Sequence, residues 1–206
     1  MIKAVIFDMD GVLIEAKEWH YESLNRALGL FGFNIARYAH LSTYDGLPTR
    51  QKLKMLTLEQ GLPETLHAFI NDLKQCYTME LVHTQCKPRF VHEYALSTLK
   101  ARGYKLAVCS NSIRATIDTM MEKANLQKYL DLTLSNQDVS AAKPSPEIYE
   151  TAMRRLGLAP SECLVVEDNE NGVRAARDAG AHVLVVQTVE EVNFENISKK
   201  IEELQS

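Results

Sequence analysis

The chain has 206 residues, a formal net charge of −4, 46% apolar residues and 24% charged residues. This balance is typical of a soluble globular protein and suffices for one α/β domain with a smaller insert. The mild acidity without a basic run argues against a nucleic-acid partner. The lack of a long apolar run or a leader-like N-terminus argues against a membrane or secreted protein. The four cysteines show no CxxC spacing, so we predict no zinc site and no disulfide framework and expect a cytoplasmic protein.

Short apolar runs rich in Val, Ile and Leu are typical of the buried strands of a parallel sheet. They predict strands at 2–7, 105–109, 163–166 and 182–186, and a weaker one at 130–134. Helical patterns between these runs end at Gly103, Gly157 and Gly180. One such helix is expected to open with Ser145 as N-cap and Pro146 at its first position. Strands that alternate with helices predict an α/β fold with a doubly wound parallel sheet, the Rossmann-like arrangement.

The stretch from residue 16 to residue 86 has apolar residues at helical spacing and no convincing strand pattern. It predicts an all-helical insert, which leaves 1–15 and 87–206 as the α/β core. Because the insert departs from the core directly after Asp8 and Asp10, we expect it to close over that point as a cap.

Asp8 and Asp10 stand two residues apart where the first strand ends. Residues i and i+2 of a strand share a face, and a bend at Gly11 would let both carboxylates lean into the crevice beyond the strand. Open α/β sheets bind ligands in such crevices. Crowded carboxylates repel, so the pair implies a cation, a shared proton or both. A divalent ion is the natural partner and would bring phosphate oxygens with it.

Three further segments fall where a phosphoryl-transfer site needs them. Ser110 and Asn111 end the second strand with a hydroxyl and an amide, near backbone N–H groups that can hold phosphate oxygens. Lys143 precedes a helix and could neutralise charge on the transferred group. Glu167 and Asp168 end a third strand and complete an oxygen-rich shell that suits Mg²⁺.

This order of motifs, Asp-x-Asp-x-Val, then Ser, then Lys, then Glu-Asp, resembles the haloacid dehalogenase-like hydrolase superfamily over essentially the whole chain. Within it, the chain looks like the subgroup of β-phosphoglucomutase and its phosphatase relatives, which carry a helical cap. The resemblance implies that Asp8 is the nucleophile and forms an aspartyl-phosphate. Asp10 would be the general acid and base. Asp8, the Asp10 carbonyl oxygen and Asp168 would bind Mg²⁺, with Glu167 near the metal shell.

The same resemblance assigns Ser110 and Lys143 to the phosphoryl group and pairs Lys143 with Asp8. In the insert, His20 lies early in the first helix, as in the mutase relatives. Arg50 lies in a segment that resembles the substrate-recognition loop of the cap, where a guanidinium would bind an anionic or hydroxylated substrate. Ala16 stands where the mutase has a threonine. This difference weakens the inference that this chain acts on the same substrate as the mutase.

Plain structural interpretations stand beside these roles. Asp8 and Asp10 could be turn residues after a strand, and Ser110 could be an N-cap. His20 could be a packed helix residue, and Arg50 could anchor its helix by an ion pair of small value. The four segments together favour the functional interpretation.

We therefore expect a Mg²⁺-dependent phosphatase that acts on a small phosphorylated metabolite, in particular a sugar phosphate. The alternatives are a phosphomutase on the same scaffold, a carbon–halogen or phosphonate hydrolase, and a non-catalytic metabolite-binding protein. Asp10 argues against the carbon–halogen and phosphonate hydrolases, because those relatives lack the second aspartate.

Overall fold

A computed structural model of the chain describes residues 1–44 and 46–205. The chain divides into two compact units. The first holds Met1–Glu15 and Cys86–Ser206, and the second holds Ala16–Gln85. Within the described residues, no helix combines the length and apolar character that crossing a membrane requires.

The first unit is built on a parallel sheet of five strands. They are β1 (Ala4–Phe7), β2 (Lys105–Cys109), β3 (Leu132–Leu134), β4 (Cys163–Glu167) and β5 (His182–Val185). The strand order is β3-β2-β1-β4-β5, and every neighbouring pair is parallel. The central β1 has Phe7 level with Val108 on β2 and with Val166 on β4. The predicted doubly wound α/β fold is confirmed.

The regular elements in the described residues of the second unit are all helices. Its α-helices are α1 (Lys17–Gly29), α2 (Arg37–Ala39), α3 (Thr49–Gln60) and α4 (His67–Gln85), with a π-turn at His40–Tyr44 and a 3₁₀ turn at Glu64–Leu66. Leu24 and Leu28 of α1, Leu53 and Leu56 of α3, and Ile70 of α4 are fully or almost fully buried in one apolar cluster. Their helical spacing puts these residues on the inner faces of the helices, so the unit has its own core.

The helices of the first unit follow the strands in chain order. They are α5 (Phe90–Ala101), α6 (Arg114–Lys123), α7 (Glu147–Leu156), α8 (Glu170–Asp178) and α9 (Phe194–Glu203), with 3₁₀ turns at Gln127–Tyr129, Pro160–Glu162 and Val189–Glu191. One sheet face, with Ile6 and Val165, packs against Tyr149 of α7 and Ala176 of α8. Alternate strand residues thus face helices across an apolar layer, as expected when a parallel sheet is covered.

The start of α7 differs from the prediction by one residue. The helix begins at Glu147, and Pro146 rather than Ser145 occupies the N-cap position. The reason is that the Pro146 carbonyl accepts the first helical hydrogen bonds, from the amides of Tyr149 and Glu150, each at 3.0 Å. The Ser145 hydroxyl still accepts from the Glu147 amide at 3.4 Å.

Candidate active site

The site is built where the three central strands end. Asp8 follows β1, Ser110 follows β2, and Glu167 is the last residue of β4. Because β1 lies between β2 and β4 in a parallel sheet, these ends meet at one edge. The Asp8 amide donates to the carbonyl of Val166 at 3.0 Å. This hydrogen bond holds the residue that follows β1 against β4.

Lys143 reaches this edge from the irregular segment between β3 and α7 and is 3% exposed. Its Nζ lies 2.6 Å from Asp8 Oδ1, 2.7 Å from Glu167 Oε1 and 2.8 Å from the carbonyl oxygen of Cys109. A lysine ammonium has three N–H donors, so each donor has one acceptor here. The ammonium is therefore held in one position beside Asp8.

Burial raises the pKa of Asp8 well above its ordinary value, the Lys143 charge lowers it, and the Glu167, Asp168 and Asp10 carboxylates raise it further. Burial alone would lower the pKa of Lys143, but the charges and hydrogen bonds of Asp8 and Glu167 outweigh it and raise that pKa. Lys143 is thus a permanent cation inside an acidic cluster, and it offsets only part of the negative charge.

Glu167 has both carboxylate oxygens in use. Oε1 accepts from Lys143 Nζ and, at 2.6 Å, from the hydroxyl of Tyr149, whereas Oε2 accepts from the amides of Asp168 at 3.1 Å and Asn169 at 3.4 Å. An ionised carboxylate accepts about four hydrogen bonds, so its capacity is filled by the protein. Glu167 therefore holds the side chains of Lys143 and Tyr149 in position, and these side chains and the two amides hold its carboxylate in turn.

The close packing of Gly172 shows how little space this carboxylate has. A Cβ added at Gly172, in α8, would lie 1.8 Å from Glu167 Oε1 and 2.1 Å from its carboxyl carbon. Only a residue without a side chain fits here while Glu167 keeps its position.

The carboxylates at this edge form a possible metal-binding group. Asp8, Glu167 and Asp168 each offer a carboxylate oxygen, and these three oxygens lie within 4.8 Å of one another. Several oxygen ligands of high negative charge fit a hard divalent cation such as Mg²⁺. The buried cluster keeps excess negative charge after Lys143 is counted, which is the condition that a cation would relieve.

Asp10 lies in a tight turn that follows β1. The carbonyl of Met9 accepts from the amides of Leu13 and Ile14 at 3.0 and 2.9 Å, and Gly11 has φ 90°. A positive φ favours glycine, so the expected bend at Gly11 is confirmed. Asp10 Oδ2 accepts from the Ser112 hydroxyl at 3.1 Å, which directs its side chain toward the loop after β2.

Ser110 and Asn111, both predicted to bind phosphate, lie in that same loop. Ser110 is 1% exposed, and its hydroxyl oxygen accepts from the Ser112 amide at 3.1 Å. The Asn111 side chain bonds the backbone of Lys143 in both directions: Oδ1 accepts from the Lys143 amide at 3.1 Å, and Nδ2 donates to its carbonyl at 3.4 Å. Asn111 therefore links the loop after β2 to the segment that carries Lys143.

Three residues of the site were missed in the sequence. Ser112 and Tyr149 touch Asp10 and Glu167 respectively, and Gly172 makes room for Glu167. Ser112 follows Ser110 by two residues, and this spacing could have indicated a shared face. Tyr149 looks like an ordinary apolar position of α7, and no local signal marks its hydroxyl as a partner of β4.

His20 and Arg50 belong to the second unit. His20 Nδ1 lies 3.2 Å from Lys74 Nζ, which joins α1 to α4, and Arg50 is exposed in the first turn of α3. The first unit thus brings together Asp8, Asp10, Ser110, Asn111, Lys143, Glu167 and Asp168 around the strand ends. The roles of His20 and Arg50 toward substrate stay predictions.

Comparison with known proteins shows the family of this chain. The family model of haloacid dehalogenase-like hydrolases matches residues 5–186, so the chain belongs to this family.

Among its relatives is a phosphorylated carbohydrates phosphatase of Thermotoga maritima, 30% identical over 182 residues, which are 87% of this chain and 82% of the relative. A phosphoglycolate phosphatase of Aquifex aeolicus is 27% identical over 87% of this chain and 82% of its own. The crystal structure of a β-phosphoglucomutase from Clostridium difficile has the same fold, with a TM-score of 0.85, 22% identity and 98% coverage of both chains. Family membership and the names of these phosphatases confirm the predicted enzyme class, a phosphoric monoester hydrolase.

Proposed function

We propose that the protein hydrolyses a small phosphorylated metabolite, in particular a sugar phosphate, through an aspartyl-phosphate at Asp8. The contact of Lys143 Nζ with Asp8 Oδ1 at 2.6 Å carries this proposal. A buried ammonium beside the carboxylate would neutralise the charge that accumulates when a phosphoryl group arrives there. The phosphorylated carbohydrates phosphatase among the relatives supports the substrate class.

In the first half-reaction an Asp8 oxygen attacks phosphorus and the bond to the leaving oxygen breaks, while Asp10 donates a proton to that oxygen. In the second half-reaction a water attacks the phosphoryl group, Asp10 takes its proton, and the bond from phosphorus to Asp8 breaks. Inorganic phosphate leaves and the Asp8 carboxylate is restored. The hydrogen bond from Ser112 to Asp10 Oδ2 supports this use of Asp10, because it fixes the side chain beside the loop of Ser110.

Asp8, Asp168 and the main-chain carbonyl of Asp10 would hold Mg²⁺. When bound, a divalent ion supplies positive charge against the phosphoryl oxygens and orients them. Glu167 would lie beside the ion without coordinating it, because the hydrogen bonds of Lys143, Tyr149 and two backbone amides already occupy its oxygens. Ser110 and the backbone N–H groups of its loop would bind the other phosphoryl oxygens.

The helical unit would act as the cap that selects the substrate. Arg50 is exposed on α3 and offers a planar guanidinium to an anionic or hydroxylated group. His20, bonded to Lys74, would add a second polar contact. We keep the cytoplasm as the expected location and a small molecule as the expected partner.

Turnover of p-nitrophenyl phosphate tests the reaction. The wild-type protein with Mg²⁺ should release phosphate, EDTA should stop the release, and added Mg²⁺ should restore it. Asp8→Asn should lower kcat more than about a thousandfold, because an amide is a poor nucleophile. Asp178→Asn, at an exposed position of α8, is the matched control and should leave kcat unchanged. An Asp8→Asn protein with wild-type turnover would falsify the covalent mechanism.

Product analysis separates hydrolysis from the phosphomutase alternative. A mutase must retain a bisphosphorylated intermediate and keep water from the phosphoenzyme, and the mutase has a threonine where this chain has Ala16. We therefore expect β-glucose 1-phosphate, with Mg²⁺ and a trace of the bisphosphate, to yield free phosphate if it reacts. Rapid accumulation of glucose 6-phosphate with little free phosphate would contradict the proposed phosphatase activity and support the phosphomutase alternative.

A further inference from the structure

Tyr149 is a buried polar residue that the proposed reaction does not use. It lies in the first turn of α7, is 0% exposed and packs in the apolar layer between α7 and the sheet. Its hydroxyl nevertheless donates to Glu167 Oε1 at 2.6 Å, and Lys143 Nζ lies 4.8 Å from the centre of its ring. The residue thus touches both of the groups that surround Asp8 on this side.

We propose that Tyr149 is a positioning residue that fixes Glu167 and, through it, keeps the Lys143 ammonium on Asp8. Glu167 Oε1 accepts two hydrogen bonds, one from Tyr149 and one from Lys143. The tyrosine hydroxyl occupies one acceptor direction of this oxygen, so the other direction is left for the ammonium. The proposal rests on the roles proposed for Asp8 and Lys143.

Loss of the hydroxyl would leave a buried acceptor on Glu167 without its donor. The carboxylate would then be free to turn toward Lys143, whose three donors are divided among Asp8, Glu167 and the Cys109 carbonyl. A stronger pull from Glu167 moves the ammonium away from Asp8, where it should meet the transferred phosphoryl group. Small displacements of such a group change the rate strongly, because the stabilisation depends on its position in the transition state.

The burial of Tyr149 also favours the protonated form of its hydroxyl. Burial raises the pKa of Tyr149 well above its ordinary value, and the charges of Glu167 and Asp8 raise it further. The phenol therefore stays protonated and remains a donor.

The chain also contains a matched control. Tyr44 is 2% exposed, and its hydroxyl donates to Glu59 Oε2 at 2.5 Å within the helical unit. Tyr44→Phe removes the same atom and the same kind of hydrogen bond from a place outside the strand ends. Each tyrosine-to-phenylalanine change keeps the ring and its packing, so both variants should fold, and their Tm values check this.

The test compares steady-state and rapid-quench kinetics of these variants with p-nitrophenyl phosphate and Mg²⁺. Tyr149→Phe should lower kcat about tenfold with KM within about twofold of wild type, and the rate of Asp8 phosphorylation should fall by the same factor. Tyr44→Phe should leave kcat unchanged, even if its Tm falls as much. Glu167→Gln should itself lower kcat, and adding Tyr149→Phe to it should cause little further loss, because Tyr149 acts through this carboxylate.

Three results would overturn the inference: wild-type kcat in Tyr149→Phe, equal losses in Tyr149→Phe and Tyr44→Phe, or a full tenfold further loss in the Glu167→Gln background. None of these results would contradict the proposed function. That proposal depends on turnover by the wild-type protein and on the loss of turnover in Asp8→Asn. A failure of the proposed function would instead show as an inactive wild-type protein or an active Asp8→Asn protein.

Discussion

At the scale of single residues, the site depends on how a few hydrogen-bond donors are shared. Lys143 is buried with two carboxylates within 2.7 Å of its Nζ. Removal of one partner from a buried ion pair leaves an uncompensated charge and commonly costs about 3–5 kcal/mol. Substitutions of Lys143 would therefore mix loss of stability with loss of activity. The residues that hold its backbone and its partners are better probes.

Asn111 is such a probe, because its side chain holds the Lys143 backbone in both directions. Asn111→Ala should lower kcat about fivefold with any substrate, because it removes two hydrogen bonds and about 1 kcal/mol of their free energy should be lost in the transition state. The inhibition constant of inorganic phosphate should stay at its wild-type value. Steady-state kinetics with phosphate as competitor measure both quantities.

Asn25→Ala is the matched control for Asn111→Ala. Asn25 makes the same reciprocal pair with the backbone of Ile35, at 2.9 and 2.7 Å, inside the helical unit. Asn25→Ala should lower Tm but should not cause the fivefold decrease in kcat. A large rise in the phosphate inhibition constant in Asn111→Ala would instead favour the phosphate-binding role predicted from the sequence.

At the scale of elements, the ends of strands and the starts of helices place the chemistry. The last residue of β4 and the first turn of α8 approach so closely that Glu167 and Gly172 share one space. Asn169 caps α8 by accepting from the Asn171 amide at 2.9 Å. The cap and the glycine together bring the helix start against the carboxylate.

Gly172→Ala sets two physical effects against each other. Alanine is favoured over glycine inside a helix by about 1 kcal/mol, but its Cβ would lie 1.8 Å from Glu167 Oε1. We expect the carboxylate to be displaced and kcat to fall at least about tenfold.

Gly29→Ala is the matched control, because a Cβ there meets no atom within 4 Å. It should leave kcat unchanged and Tm equal or slightly higher. Kinetics with p-nitrophenyl phosphate and thermal unfolding measure both variants. A more stable and fully active Gly172→Ala protein would contradict this prediction, because it would mean that the Glu167 carboxylate can be displaced without a decrease in kcat.

At the scale of the whole molecule, buried polar groups join distant parts of the first unit. His92 of α5 is 1% exposed, and its Nε2 lies 2.8 Å from the carbonyl oxygen of Val189. Burial lowers the pKa of His92, the hydrogen bond to Val189 raises it, and the nearby Arg89 lowers it again, with a net decrease. The folded protein therefore disfavours the protonated imidazole.

This depressed pKa makes stability depend on pH with a defined sign. The unfolded chain binds a proton at His92 near its ordinary pKa of about 6.5, whereas the folded chain resists it. The contribution of His92 to the free energy of unfolding is therefore fully present above that pH and is lost as the pH falls below it. Tm should decrease between about pH 7.5 and about pH 5.5.

His92→Gln tests this assignment, because the glutamine amide can still donate to the Val189 carbonyl but does not titrate. Its Tm should fall less over the same pH interval than that of wild type. His83→Gln, at an exposed histidine of α4, should retain the wild-type dependence. Equal slopes in all three proteins would place the acid sensitivity elsewhere. Calorimetry at both pH values provides the measurement.

The sequence by itself determined the class of fold and the residues at the strand ends. Apolar runs of four to six residues, helices closed by glycine and carboxylates after the first and fourth strands are local patterns, and each is present in the printed chain. β2 was predicted with both of its limits, whereas β1 begins two residues later than expected, at Ala4. Strand ends predict a site well because the carboxyl ends of parallel strands must meet at one edge of the sheet.

Only the tertiary structure decided what each polar group touches. Asn111 was expected at a phosphate, and the structure joins it to the backbone of Lys143, a residue 32 positions away. Tyr149 and Gly172 showed no functional signal, because their importance comes from contact with Glu167 across the gap between helix and sheet. Local patterns follow from the preferences of neighbouring residues, whereas the division of donors and acceptors in a buried cluster depends on distances that exist only after the sheet and helices have packed.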